Sequence, residues 1–241
     1  MAEKNPNVTD LAYYLGDKQH LLTTSLSPDG SKLIAVTSGS VSWRDDNDLM
    51  PNYIGQNGRI QFDQVRRRVH DEKPVQQTFW YLDLSTHATN QITINTLPDY
   101  DKDVLKAVRQ ENAKAEGKNY RSKRVPRTIN LMEDWTWSQS PIQWHVSGEQ
   151  VAVMLEAWDN KDRWIATVDF NRQELVNQHQ LHDDAWINYT FNDFGWFYGS
   201  EKLYFLWEQS GYSHIYIKDL ADNKARQVTK GKFEVSNLKL S

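Results

Sequence analysis

The sequence contains no cysteine. That removes disulfides, thiolate nucleophiles and cysteine-ligated metals, and it leaves cytosol and periplasm both open. Long apolar runs are missing as well. Nothing approaches the roughly 18 residues of a membrane span, so no membrane span is expected, and Met1 to His20 lacks the basic-then-apolar pattern of a secretion signal. There is no excess of one charge: 28 Lys+Arg stand against 32 Asp+Glu, and a formal net charge of -4 offers no general attraction to nucleic acid or anionic membranes. Gly-x-Ser-x-Gly, His-Glu-x-x-His, Walker A and Gly-x-Gly-x-x-Gly are all absent. The string nearest a nucleophile elbow, Gly211-Tyr212-Ser213-His214-Ile215, has no second glycine. The sequence therefore assigns no catalytic, cofactor-binding or metal-binding residue, and no cofactor.

What is abundant is aromatic area: 10 Trp, 11 Tyr and 8 Phe in 241 residues place the apolar surface in rings rather than in Leu/Ile runs, which favours sheets over helical bundles. Three stretches share one pattern of small-residue turn, apolar strand, gap and second strand. The first is Leu26-Ser27-Pro28-Asp29-Gly30 leading into Leu33-Ile34-Ala35-Val36, resumed at Phe79-Trp80-Tyr81-Leu82-Asp83-Leu84 and Gln91-Ile92-Thr93. The second is Val146-Ser147-Gly148-Glu149-Gln150-Val151-Ala152-Val153-Met154 followed by Arg163 to Phe170. The third is Tyr198-Gly199-Ser200-Glu201-Lys202-Leu203-Tyr204-Phe205-Leu206, then Ser213 to Leu220, then Gln227-Val228-Thr229. The second and third copies are offset by about 50 residues, a length that suits a four-stranded propeller blade.

The expectation is an all-β fold, a partial β-propeller occupying 1–241. Its blade units lie at about 20–95, 135–185 and 186–235, with the start of a fourth at Ser236 to Ser241, which overlays Thr24-Ser25-Leu26-Ser27. Trp80, Trp164 and His214 are expected at equivalent positions. Two insertions interrupt the pattern. Residues 40–75, with Pro51, Gly55, Gly58 and Arg66-Arg67-Arg68, read as an elaborated loop. Residues 97–130 hold the one credible helix, between Asp99 and Gly117, with Val104, Leu105, Val108 and Ala113 on one side and Gly117 as its stop.

Several clusters invite a chemical reading and a plainer one beside it. Asp99-Tyr100-Asp101-Lys102-Asp103 begins like a calcium loop but has Val104 at the glycine position and Gln110 at the glutamate position; it reads as a charge cluster at the helix N-terminus, complementing the dipole. His179, His182, Asp183 and Asp184 offer four metal-ligand types in six residues. On a strand, however, a spacing of three turns the two histidines to opposite faces, so a solvated loop is expected. Lys118, Arg121, Lys123, Arg124 and Arg127, with Tyr120 among them, could meet phosphate; a charged edge strand is the preferred reading. Trp135, Trp137, Trp144, Trp158, Trp164, Trp186, Trp196 and Trp207 could stack on sugars or peptide rings, but their recurrence at repeat positions favours packing between units. Asn7-Val8-Thr9 and Asn188-Tyr189-Thr190 are glycosylation sequons only in a eukaryotic secreted setting.

Ser27-Pro28-Asp29-Gly30, Trp80-Tyr81-Leu82-Asp83-Leu84 and above all Trp207-Glu208-Gln209-Ser210-Gly211-Tyr212-Ser213-His214-Ile215-Tyr216 resemble the amino-terminal propeller of serine peptidases of the dipeptidyl peptidase IV type, in the prolyl oligopeptidase clan. Gln227 to Val235 looks like that family's following blade end. The resemblance implies an α/β-hydrolase domain carrying a Ser-Asp-His triad, absent from these 241 residues, with the propeller gating access of peptide substrate to it. Dipeptidyl members bind the substrate amine with an adjacent Glu-Glu pair. No such pair occurs here, and Glu111 and Glu116 do not match it, so no binding residue is carried over. The expected partners are peptide substrate through the parent enzyme, the missing hydrolase domain and further copies in a homo-oligomer, with no nucleic acid. The resemblance tilts localisation to the bacterial cell envelope (periplasm), the cytoplasm staying open. A non-catalytic protein-binding propeller of the periplasmic translocation-protein type is the alternative, and an aromatic-rich carbohydrate-binding module a third.

Overall fold

The computed structural model describes residues 12–39, 48–65, 75–132 and 139–240. Strand accounts for 41% of the described residues and helix for 5%, in keeping with the all-β expectation. The first four-stranded sheet has the order β1 (His20–Leu26), β2 (Lys32–Ser38), β5 (Gln77–Asp83), β6 (Ala88–Ile92). Inserted between its second and third strands, β3 (Asp48–Asn52) pairs with β4 (Gln61–Val65). The second sheet sets β11 (Glu174–His182), β10 (Asp162–Asp169) and β9 (Val151–Ala157) beside two short inner strands, β7 (Ile129–Leu131) and β8 (Ile142–Trp144). The third is β12 (Phe194–Trp196), β13 (Lys202–Trp207), β14 (His214–Asp219), β15 (Lys224–Gln227). All neighbours within these sheets are antiparallel.

Local chemistry sets the hairpins. Between the third and fourth strands of each sheet the turn opens with an aspartate: Asp83, Asp169 and Asp219 each accept a hydrogen bond from the backbone N–H two residues on, at 2.9, 3.0 and 3.0 Å. Each turn closes four residues after that aspartate in the left-handed region, at His87 (φ 58°), Gln173 (φ 57°) and Asn223 (φ 53°). A short polar side chain that bonds its own turn makes such a hairpin self-specifying. Between the first and second strands, Gly30, Gly148 and Gly199 take φ of 72°, 75° and 66°. In the first of these turns Asp29 accepts from the hydroxyls of Ser27 and Ser31 at 2.5 and 2.6 Å, which holds its carboxyl at about 2.

Measured from the turn aspartates, Trp164 and His214 are equivalent: each lies five residues before the aspartate, is fully buried, and donates or faces a ring nitrogen towards a backbone carbonyl, of Pro98 and Gly231 respectively. Trp80 is not. It lies three residues before Asp83, on the same face but one pleat further along, where the other sheets carry Ala166 and Tyr216. The strand period of two hid this slip, because a shift of two residues leaves the face unchanged.

The second sheet is buried on both sides. Val151, Val153, Leu155, Trp164 and Ala166 pack towards Ile34, Val36, Phe79 and Tyr81 of the first sheet. The alternate residues Ala152, Met154 and Ile165 pack towards Phe194, Leu203, Phe205 and Tyr216 of the third. Two-sided burial explains why β9 reads as a continuous apolar run instead of an alternating one. Tryptophans reach across these junctions, Trp144 Nε1 donating to Ser25 Oγ at 3.0 Å and Trp196 Nε1 to the Gln143 carbonyl at 2.8 Å. Trp158 and Trp186 are exposed instead, and Trp135 and Trp137 lie outside the described residues. Residues 228–240 continue past β15 without strand structure; Val228 and Val235 donate to the carbonyls of Ile215 and Ser213.

Candidate functional site

In all three sheets the second-to-third-strand connections and the links to the next sheet emerge at one end, and both insertions emerge there. The first contains an exposed β-ribbon, β3 and β4, rather than the loop expected for 40–75; of its flanks, Arg66, Arg67 and Arg68 lie outside the described residues. Cross-strand pairing from Asp48↔Val65 to Asn52↔Gln61 closes around Gly55 and Gly58, the two glycines that had suggested only a loop.

The second insertion carries α1 (Lys106–Ala115). It ends as Gly117 requires: with φ 69°, Gly117 N donates to the Lys114 carbonyl at 3.0 Å and Lys118 N to that of Ala113 at 2.7 Å, closing the last turn. The expected apolar side is only half-buried, at Val104, Leu105 and Ala113. No α1 residue is buried and Val108 is exposed. Nor do the aspartates cap the helix, whose first turn holds no acidic residue and whose N-cap is Leu105. Charge pairing holds the segment instead. Residues 120–127 run back along 99–103 as irregular chain, not as the edge strand expected of the basic run, with Val125 N and Arg127 N donating to the carbonyls of Asp101 and Tyr100 at 2.9 and 2.8 Å. Asp101 takes a bidentate pair from Arg124 at 2.9 and 2.5 Å. Asp103, its side chain 3% exposed, accepts from Arg109 (2.5 Å), Tyr120 Oη (2.6 Å) and Ser122 Oγ (2.9 Å). Desolvation pushes the Asp103 carboxyl up, and these donors together outweigh it and leave it below the ordinary value.

Arg127 fastens the insertion to the second sheet. Its guanidinium grips Asp159 in a fork at 2.9 and 2.6 Å, reaches Asp162 at 2.7 Å, donates to the Asp99 carbonyl at 3.1 Å, and lies over the Trp164 ring at 5.5 Å. The Asp162 side chain is 0% exposed and also meets His182 Nδ1 at 2.8 Å and Gln180 Nε2 at 2.9 Å. Between this clamp and the outer limb of the insertion lies a cleft of about 510 Å³, bounded by Lys102, Tyr120, Arg121, Lys123, Pro126 and Trp158 among others.

At the same end, Arg163 is 1% exposed. It donates through Nη1 to Asn192 Oδ1 and the Asn188 carbonyl and faces Tyr189 at 5.7 Å. Burial pulls its pKa down against the charges of Glu156, Tyr189 and Glu208, while Glu208 itself is pushed up by burial and by Glu234. Sequence patterning gave no signal for Arg163, because an arginine opening a strand normally reads as solvated.

The remaining clusters resolve into structure. His179 is buried and stacks on Phe205 at 4.3 Å and edge-on to Trp207 at 4.5 Å, whereas His182 turns the other way to Asp162 and Asp184. Asp183 serves its own turn, accepting from the backbone N–H of Ala185 and Trp186 at 2.7 and 3.0 Å. Ser213 is fully buried, its hydroxyl donated to the Val235 carbonyl at 2.8 Å and its N–H to Glu234. His214 faces Thr229 and the Gly231 carbonyl, so this serine–histidine neighbour pair is not arranged for proton transfer between its members. The arrangement positions the insertion against the second sheet, and its chemistry is charge pairing.

Residues 137–241 match the family model of the dipeptidyl peptidase IV N-terminal region. This stretch holds β8 to β15. The fold agrees. Dipeptidyl peptidase 4 of Porphyromonas gingivalis superposes with a TM-score of 0.54 at 15% identity, over 88% of this chain and 25% of that one. A putative dipeptidyl aminopeptidase IV of Bacteroides ovatus gives 0.45 at 13% identity, over 86% and 26%. The β-propeller domain of the Trilobed protease of Pyrococcus furiosus gives 0.42 at 11%, over 91% and 45%. The three sheets form a partial β-propeller, and the chain spans about a quarter of the length of the two dipeptidyl peptidases. Comparison with curated protein sequences returns no match. Among the described residues no helix is long and apolar enough to cross a membrane.

Proposed function

We propose that this chain is a wall of the access chamber of a serine peptidase of the dipeptidyl or oligopeptidyl type: a propeller segment that admits small or unfolded peptides to an α/β-hydrolase domain elsewhere in the same protein. The observation that carries the reading is the family match over 137–241. Both insertions project from one end of the blade stack, as size-selective obstacles at a chamber mouth would. In this reading the parent protein works in the bacterial cell envelope, and hydrolysis itself belongs to the hydrolase domain's serine, histidine and oxyanion donors.

The test uses the longer polypeptide containing this chain and the hydrolase domain. Replacing residues 104–122 by a short Gly-Ser link should raise kcat/KM for peptides of twenty residues or more, at least several-fold, and leave it unchanged for a dipeptidyl chromogenic substrate. An unchanged length preference would overturn the gating role, and a parent without peptidase activity would overturn the reading entirely.

A further inference from the structure

The cleft beside α1 has a charge balance that the rest of the chain does not. Its lining includes five cations, Lys102, Arg109, Arg121, Lys123 and Arg127, against two carboxylates, Asp103 and Asp159. Both carboxylates are spent. Asp103 is enclosed by Arg109, Tyr120 and Ser122, and Asp159 is held in the fork of Arg127. Lys102 faces Asp99 at 3.2 Å. Arg121 and Lys123 are exposed and have no ion-pair partner among the described residues. They stand two apart on an irregular limb whose neighbours at 120 and 122 are anchored by Asp103. Next to them the lining turns apolar: Val125 and Pro126 are exposed, and Trp158 is 47% exposed.

We propose that this cleft binds an acidic peptide segment, its carboxylate received by Arg121 and Lys123 and an adjoining apolar side chain laid against Val125, Pro126 and Trp158. The volume of about 510 Å³ falls within the range of roughly 300–1,000 Å³ typical of ligand sites. Guanidinium and ammonium donors on a pre-anchored limb suit a carboxylate, and charge-assisted hydrogen bonds are the stronger kind. A polyanion fits less well. Nucleic-acid binding rests on neutralising about 6–10 phosphates, whereas two unpaired cations are available here and the whole chain is net negative at -4. A second cleft of about 510 Å³ on the far side of Arg127, beside β5, β6 and Tyr100, is lined by no charged side chain other than Arg127 itself. The asymmetry between two equal clefts is what selects the first. The proposal concerns binding by this chain and stands whether or not the peptidase reading does.

The test is fluorescence anisotropy of the 241-residue chain with a dansyl-labelled, C-terminally amidated tetrapeptide ending in leucine, aspartate and glutamate. Its asparagine/glutamine counterpart and a neutral peptide with a free carboxyl terminus are run beside it. The acidic peptide should bind at least tenfold more tightly than its amide counterpart, and Arg121→Ser with Lys123→Ser should weaken it at least fivefold. Lys230→Ser, at a distant exposed lysine, should not. A thermal melt of the double variant matching the parent excludes unfolding, both side chains being solvent-exposed. Tight binding by the free-carboxyl peptide alone would assign the site to chain termini and overturn its assignment to an acidic segment. Equal binding of acidic and amide peptides, an unaffected double variant, or tighter binding of a single-stranded oligonucleotide than of the acidic peptide would each overturn the proposal.

Discussion

Arg127 provides the sharpest energetic test of how the helical insertion is held. Its side chain is 6% exposed and faces Asp162, 0% exposed, at 2.7 Å and Asp159, 20% exposed, at 2.6 Å. For exposed pairs the worth of such contacts is about 0–1 kcal/mol. Here the cost is that of stranding a buried carboxylate, about 3–5 kcal/mol when one partner of a buried pair is removed. Arg127→Met keeps the apolar stem over Trp164 and removes only the charge and the fork. In a chain of this length each kcal/mol moves Tm by about 2–4 °C, so the variant should melt roughly 6–20 °C lower by tryptophan fluorescence. Arg127→Lys, which keeps charge without the planar fork, should fall between the two. Adding Asp162→Asn to Arg127→Met removes the stranded charge and should recover more than half of the loss. Trypsin should also cut the limb between Lys118 and Arg124 faster in the single variant. A loss under about 1 kcal/mol, or no recovery in the double variant, would show that the insertion is held by something other than this clamp.

His179 gives a pH signature. Burial, with the nearby Lys218 charge adding to it, pulls its pKa from 6.5 to about 3. The neutral folded form thus contributes stability that is complete above 6.5 and lost as pH falls from 6.5 towards 3. His179→Phe, which preserves the stack on Phe205, should flatten the stability profile between pH 6.5 and 5, where the native slope from this group approaches about 1.4 kcal/mol per pH unit; an unchanged slope refutes it. The chain by itself should hydrolyse no aminoacyl-proline chromogenic substrate and take no fluorophosphonate label, and stoichiometric labelling of Ser213 would sink that expectation. Self-association is expected through the first blade, where Leu21, Leu22 and Leu26 on β1 are exposed. Sedimentation equilibrium at 28.2 kDa without concentration dependence over tens of micromolar would contradict it.

Much of the architecture was legible because its signals are local. Ser27-Pro28-Asp29-Gly30 and the aspartates that open the hairpins build their turns from their own side chains, so the turn chemistry can be read before any tertiary contact is known. Gly117 marked the end of α1 for the same reason. What stayed hidden depends on partners distant in sequence. Asp101 and Asp103 looked like dipole partners until Arg124, Arg109 and Tyr120 were found to enclose them, 23, 6 and 17 residues away. The apolar residues of α1 suggest a buried face, yet among the described residues none of them is buried. The β3–β4 ribbon is not legible in the sequence because Asp48 to Val65 mixes polar and apolar residues with little sustained alternation, and the register of Trp80 is not because a two-residue slip is invisible to a period of two.

Since β9 and β10 belong to two hydrophobic clusters at once, the middle blade is a keystone. Among the described residues each outer blade shares its hydrophobic cluster with the middle one, so local openings confined to the middle blade should be costly. Damage there propagates to both neighbours, while damage at either outer blade has only one junction to cross. Amide exchange should therefore be slowest, and close to a single global rate, along Val151 to Leu155 and Trp164 to Thr167, with protection stepping down outward on both sides. An arc of blades built this way loses order from its ends, and its length is limited by how well those ends are covered.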